Sequence, residues 1–403
     1  MKINGRLKRM SKLKTAIKNS TFLFKLYNLV GNTFIKINGI FFRNRKKQVL
    51  FLSFGGKGLS DSPFAIFKLM LEDPDFEDHK FIWAVDKSVD TSVFDYPRTK
   101  YISTDKPSYF KYLFQSEIWI TNTTVSRGLK IKKPSNVVYI NTWHGTPFKK
   151  IGNDVDGTGV FSGKSKSIAL LNDPCYLVQS NYEKQIFINA FGTLEESIYL
   201  TGLPRNDELK NIDQNQVVLI KEALNINTEK KVILFAPTFK EYKTYDYFEE
   251  KKAMIDKLSD KYYILYRGHH AASDSRKYDN IDNPNFLNVS TYPNLNDLFK
   301  VSDIVITDYS SLCVDFAILD RPIYFVTPDF EEYQDKRGLY INYDELFNVG
   351  NFTSFDHLTN YLNETSDHQY GYMNTSVIHE KFIDECGCAT HKAIELIKTL
   401  MRG

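Results

Sequence analysis

The residues best suited to chemistry stand where short apolar runs give way to polar ones. The run Val137–Asn141 leads into Thr142-Trp143-His144-Gly145-Thr146-Pro147-Phe148-Lys149-Lys150. An imidazole at the carboxyl end of a strand can take a proton from an attacking hydroxyl near neutral pH. Lys149 would add positive charge for a phosphate, and Gly145, Thr146 and, further on, Arg205 are candidates for phosphate or acceptor contacts. The run Tyr262–Tyr266 ends in Arg267-Gly268-His269-His270, again a cation and an imidazole at a strand terminus. Adjacent histidines cannot both point the same way from a strand, so one of the two is peripheral. A third stretch, Ser302–Phe316, passes from a buried run through Asp308 and Tyr309 to Ser310 and Ser311 at the start of a helix. Serine hydroxyls, free amides and the positive end of the helix dipole form a phosphate cradle. Helix capping, worth about 1 kcal/mol, would use the same residues and is compatible with that role.

Each feature also has a plain structural reading. A lone histidine is usually a hydrogen-bonded structural residue; for His144, the strand end, the glycine and the helix-starting Thr-Pro favour function. Gly55-Gly56-Lys57-Gly58 has neither the G-x-G-x-x-G spacing nor the Walker pattern and reads as a tight turn. Cys386-Gly387-Cys388 has no second pair at metal-ligand spacing, and no D-x-D triplet stands out with a metal role. No metal and no cofactor is therefore expected.

The elements that must position these residues alternate short strands with helical stretches, the pattern of an α/β fold. Strands are expected at Val49–Phe54, Lys80–Val85, Ile118–Thr121, Val137–Asn141, Tyr176–Val178 and Ser197–Leu200, with a helix from about Pro63 capped by Asp61 or Ser62. A second series follows Pro204, at Val232–Ala236, Tyr262–Tyr266, Phe286–Val289, Ile304–Thr307 and Ile323–Val326, and a helix over Ala389–Met401 ends the chain. This divides the 403 residues into a basic segment (1–47), a first Rossmann-like unit (48–205) and a second (206–403) that includes the last helix. Two such units form a clam whose ligands lie beyond the carboxyl ends of the strands.

The net charge of +3 hides an asymmetry. No acidic residue precedes Asp61, while that stretch carries 14 lysines and arginines, so the rest of the chain carries 3 − 14 = −11. Ile3, Leu7, Met10, Leu13 and Ile17 recur at helical spacing among Lys8, Arg9, Lys12, Lys14 and Lys18. The next apolar stretch, Thr21 to Phe42, is too polar to span a bilayer and suits the interface with an anionic membrane surface. Packing of this segment on its own protein is the bland alternative. Nucleic acid is not an expected partner, because the aromatics sit among aliphatics and not in a glycine-lined groove. Four scattered cysteines suit a reducing compartment.

Seven landmarks in order make the chain resemble the CDP-glycerol glycerophosphotransferase family, the teichoic-acid primases and polymerases of Gram-positive bacteria and their capsule relatives. They are Ser53–Ile66, Asn141–Gly152, Thr201–Asp207, Ala236–Glu241, Tyr266–His270, Ser302–Phe325 and Asp329–Tyr340. The resemblance implies a GT-B-like pair of Rossmann domains facing a cleft. It implies transfer of glycerol or ribitol phosphate from a CDP-alditol to a hydroxyl of a lipid-linked (undecaprenyl-diphosphate) saccharide, with release of CMP, at the cytoplasmic face of the membrane. Carried over by position, His144 would be the base and His269 would contact the donor pyrophosphate. Arg267, Ser310 and Ser311 would bind phosphate, and Asp308 and Asp315 would shape the donor site. Two departures stand out: Gly55, where relatives often carry histidine, and Glu385-Cys386-Gly387-Cys388 in place of an acidic-glycine motif.

Two other functions compete. A GT-B glycosyltransferase using a nucleotide sugar would share the clam and a histidine base, since fold does not fix function. A non-catalytic membrane-associated subunit would need neither His144 nor His269. The short second unit leaves no obvious module for a growing polymer, which favours a primase or a short-chain transferase.

Overall fold

The computed structural model describes residues 20–42, 45–127, 129, 131–155, 174–238, 247–268, 273–343 and 351–403. Lys8, Arg9, Lys12, Lys14, Lys18 and His269 lie outside the described residues.

Apolar runs without alternation make strands buried on both faces, which is the condition for a parallel sheet covered by helices. The first sheet contains β1 (Lys46–Leu52), β2 (Lys80–Val85), β3 (Thr99–Ser103), β4 (Ser116–Thr121), β5 (Val138–Asn141), β6 (Cys175–Val178) and β7 (Ile198–Leu200). Their order is β3-β2-β1-β4-β5-β6-β7, and the pairings are parallel, with Leu50 beside Ile82 on one side and Trp119 on the other. The second sheet is built from β8 (Lys231–Phe235), β9 (Tyr262–Tyr266), β10 (Phe286–Asn288), β11 (Ile304–Thr307), β12 (Ile323–Val326) and β13 (Asn351–Phe352). Its order, β10-β9-β8-β11-β12-β13, repeats the first: the opening strand is central and the order reverses beside it. These are two Rossmann-like units, and the reversal points, β1/β4 and β8/β11, are where such sheets open crevices for ligands.

The two-residue period of a strand distributes the core between the faces. Val49 and Phe51 pack with Phe67, Trp83 and Ile118 on one face, while Leu50 and Leu52 pack with Tyr109, Leu113 and Trp119 on the other. The expected strands are present, with ends shifted by a few residues at most. Two strands escaped the sequence reading. β3 is a half-exposed edge strand with polar alternation, and β13 is only two residues long.

Three helices depart from expectation. The helix α1 (Thr21–Phe41) lies against α3 (Ser108–Gln115), with Phe34 edge-on to Phe110 at 6.0 Å and Ile35 buried. Part of the stretch read as interfacial thus packs on the protein, while Leu29, Val30, Ile40 and Phe41 stay exposed. Among the described residues no helix is long and apolar enough to cross a membrane. The helix α2 (Asp61–Glu72) has Ser60 at its N-cap position with no side-chain cap, so neither Asp61 nor Ser62 takes that role. Asp61 instead adopts a left-handed conformation (φ 63°), and its carboxylate accepts the Ser62 N–H at 2.5 Å.

The last helix, α6 (Ala389–Arg402), was expected in the second unit. It crosses back and buries Ala393, Ile394 and Ile397 in the core of the first. Asp207 supplies the cap that its own sequence lacks, accepting the N–H groups of Ala389 and Thr390 at 2.8 and 2.7 Å.

Candidate active site

The loop after β5 carries His144 into the space between the two sheets. Trp143 holds a left-handed backbone conformation (φ 51°), which a non-glycine residue keeps only where its surroundings over-determine it. Its ring is fixed against Phe187 and Phe191 and stacks on the imidazole of His144 at 4.4 Å. The Nδ1 of His144 lies 2.7 Å from the carbonyl oxygen of Asn122. A carbonyl only accepts, so the neutral ring keeps its proton on Nδ1 and its lone pair on Nε2. The imidazole remains exposed within surroundings that burial makes unfavourable to charge; its pKa is lowered, against smaller raising effects from Asn122 and Asp61. A neutral base is the result.

Asn122 organises the site although the sequence reading passed over it. It sits just beyond the carboxyl end of β4, fully buried, and its Oδ1 accepts the N–H of Phe54 at 2.8 Å while its carbonyl takes His144. The glycine-rich turn after β1 and the histidine loop are thereby joined. The signal available was the polar run Thr121-Asn122-Thr123-Thr124 at the end of a central strand.

Behind the histidine, Thr146 donates its hydroxyl to Glu183 Oε1 at 2.5 Å and accepts Gln179 Nε2 at 2.8 Å. Glu183 belongs to α4 (Asn181–Phe191) and is buried, which pushes its carboxyl up to about 7. The Ser180-x-x-Glu183 spacing is that of a capping box. Ser180 does cap the helix, but Glu183 turns to Thr146 and to the Gln179 N–H, at 2.8 Å. Thr146 is thus a brace for the loop.

Across the cleft, Ser310 and Ser311 precede α5 (Leu312–Ala317). Ser311 occupies the N-cap position without making a capping hydrogen bond. It approaches Gly145 so closely that a Cβ there would lie 2.9 Å from its Oγ, at a backbone φ of 153°. The histidine loop and the serine pair therefore meet. Lys149 bridges to Leu339 of the second unit, with its Nζ 5.8 Å from the Tyr333 ring centre.

Arg205 is placed differently from expectation. Its guanidinium is buried and makes bonds of 3.0 to 3.2 Å to both oxygens of Asp315 and one of 3.3 Å to Asp61. Burial works to lower its pKa, but Asp315 and Asp61 together raise it. Asn206 adds a bond of 2.7 Å to Asp315. Arg205 and Asp315 thus clasp the two units together; neither presents a free charge to a phosphate. Arg267 is likewise engaged, its Nη1 donating to the carbonyl of Tyr292 at 2.7 Å. Asp308 accepts the N–H groups of Thr238 and Tyr309 at 2.8 and 2.6 Å. It lines a small crevice at the β8/β11 reversal with Phe235, Pro237, Tyr247 and Lys251.

Comparison with known proteins identifies the family and the fold. The sequence profile of the CDP-Glycerol:Poly(glycerophosphate) glycerophosphotransferase family matches residues 34–389. A teichoic acid poly(glycerol phosphate) polymerase of Bacillus spizizenii is 31% identical over 95% of this chain and 99% of its own. A teichoic acid glycerol-phosphate transferase of Staphylococcus aureus is 32% identical over 87% of this chain and 93% of its own. The solved structure of the wall teichoic acid polymerase TagF soaked with CDPG superposes with a TM-score of 0.78 at 28% identity, covering 100% of this chain and 99% of that one. A polymerase of nearly this length removes chain length as an argument for priming. The protein is an enzyme of the CDP-glycerol glycerophosphotransferase family, with the GT-B-like fold of TagF.

Proposed function

We propose that this chain transfers glycerol phosphate from CDP-glycerol to a hydroxyl of a lipid-linked saccharide at the cytoplasmic face of the membrane, in teichoic acid synthesis. The observation that carries the reading is His144, its Nδ1 2.7 Å from the Asn122 carbonyl, opposite Ser311 at the meeting of two Rossmann-like units. Nε2 of His144 takes the proton of the acceptor hydroxyl as its oxygen bonds to the distal phosphorus of the donor. The bond from that phosphorus to the bridging oxygen breaks, and CMP leaves. Ser310 and Ser311 serve the donor phosphates, joined by His269, which follows Arg267 by two residues. Positioning and charge stabilisation supply most of the rate in such transfers. The reaction needs no added metal and survives a chelator.

The acceptor's lipid tail agrees with the acid-free first 60 residues and the exposed apolar side chains of α1. The decisive experiment offers CDP-glycerol and CDP-ribitol separately with a short lipid-linked acceptor and measures CMP release and product mass. CMP from CDP-glycerol is expected, and the product mass counts the units added. Release from CDP-ribitol alone would replace the donor. No CMP from either, with NDP released from a nucleotide sugar, would move the chain to the glycosyltransferases.

A further inference from the structure

At the opposite end of the first sheet from His144, a groove of about 490 Å³ opens beside α3. Strand geometry builds it. Lys80 and Ile82 lie two apart on β2, Gln48 of β1 pairs with Lys80 and Ile82 pairs with Lys100 of β3, while Lys46 reaches the groove from the start of β1, where the register to β4 shifts. Residues two apart, and residues in parallel register, share a face. The paired side chains therefore stand on one face at the amino ends of three adjacent strands. Lys111 closes the groove from α3, and no carboxylate lines it.

The four lysines are exposed, and none is in an ion pair among the described residues. Their neighbour Lys47 is paired with Asp78 at 2.9 Å. Arg98 also reaches the groove, but its guanidinium is committed to backbone carbonyls, including that of Leu71 at 2.7 Å. The buried Gln48 has an Oε1 with no hydrogen-bond partner. Lys100 and Lys111 are held over the rings of Tyr112 and Phe42, at 5.1 and 5.8 Å from their centres. Phe42 directly follows α1, whose Leu29, Val30, Ile40 and Phe41 are exposed.

We propose that this groove binds the phosphate of an anionic phospholipid headgroup, seating the enzyme on the membrane by a site separate from the reaction cleft. The choice of a lipid over a soluble phosphate polymer rests on continuity: the cationic groove and the exposed apolar residues of α1 meet at Phe42. The inference deepens the membrane-surface reading and rests on it. A headgroup in the groove sets the first sheet at a fixed height above the bilayer, with its carboxyl ends on the far side.

The test is vesicle co-sedimentation of the full chain, with phosphatidylcholine alone and with equimolar phosphatidylcholine and phosphatidylglycerol. Each basic residue near an anionic surface contributes about fivefold in affinity, so Lys80→Gln/Lys100→Gln/Lys111→Gln is expected to weaken binding to the anionic vesicles by about a hundredfold. A charge-matched control in the second unit, Lys210→Gln/Lys221→Gln/Lys231→Gln, is expected to change it by less than about threefold. Thermal midpoints report folding of both variants. Equal losses in the two variants, or no loss in the groove variant, would overturn the groove while leaving membrane binding standing. A wild-type chain that ignores anionic vesicles would overturn both. If the groove variant keeps vesicle binding but loses retention of soluble poly(glycerol phosphate), the occupant is polymer and the lipid assignment is wrong.

Discussion

Replacing His144 with alanine tests the centre of the mechanism. The ring's contact with the Asn122 carbonyl, 2.7 Å from Nδ1, leaves Nε2 as the basic nitrogen. Burial lowers the pKa, and Asn122 and Asp61 recover only part of that shift, so the free enzyme protonates His144 below the ordinary value of 6.5. At pH 7.5 at least about nine-tenths of the ring is then neutral and able to act. Loss of a general base costs about 10²–10⁴ in rate, or roughly 3–5 kcal/mol of barrier. The His144→Ala variant is expected to lose that much in kcat, with little change in KM for the donor. Because the neutral form is the active one, the rate falls as pH falls. The acid limb of kcat/KM is therefore expected to have its midpoint below 6.5. CMP release measured between about pH 5 and 8 reads both quantities. A variant within tenfold of wild type, or an acid limb centred above 6.5, would refute the assignment.

Asp315→Ala strips the buried Arg205 of its two-oxygen partner and is expected to destabilise by about 3–5 kcal/mol. Arg205→Met/Asp315→Leu should recover most of that loss, and urea midpoints showing no coupling between the two sites would count against the clasp. Glu183, raised by burial to about 7 from 4.5, binds a proton in the folded state that the unfolded chain has released. The stability this confers is full below about 4.5 and is lost as pH rises through about 7, a change of roughly 3 kcal/mol. Glu183→Gln does not titrate, so its unfolding midpoint should gain on wild type as pH rises, and a constant difference would contradict the raised value. Gly145→Ala adds a Cβ 2.9 Å from Ser311 Oγ at a φ of 153°. A fall of about tenfold or more in kcat/KM with a small change in thermal midpoint is expected, and an unchanged kcat/KM would show that the loops need not approach so closely.

Much of this was legible in the sequence because strands buried on both faces announce themselves as apolar runs. Val305, Leu234 and Leu50 needed no partner to be recognised as core. What was hidden depends on pairings across long separations. β3 looks polar because it is an edge strand, and nothing local to Ala389–Arg402 says that it returns to the first unit. His144 could be singled out because the strand end and the loop that carry it are local in sequence. The pairing of Arg205 with Asp315 was hidden for the opposite reason. Separately, a charged residue in a loop and one in a helix each resemble ligand contacts, and only the fold shows 110 residues of chain closing to bring them together. Asn122 and Glu183 were missed because their side chains serve other residues of the protein.

The clasp also bears on how the cleft can work. The proposed base belongs to one unit and the serine pair to the other, so catalysis requires the two to keep a fixed register. Buried ion pairs add little to stability against apolar replacements of the same volume, and their best-attested use is to specify register. Asp61 lies at the start of the first unit's α2, Arg205 at the junction, and Asp315 in α5 behind Ser311. One guanidinium thus measures both units from their joint. The ladder from Phe148 to Tyr340 and from Lys150 to Gly338 ties the histidine loop to the second unit a second time, at 2.8 and 3.1 Å. With ties of this kind flanking it, the close approach of Gly145 to Ser311 is braced by the surrounding structure.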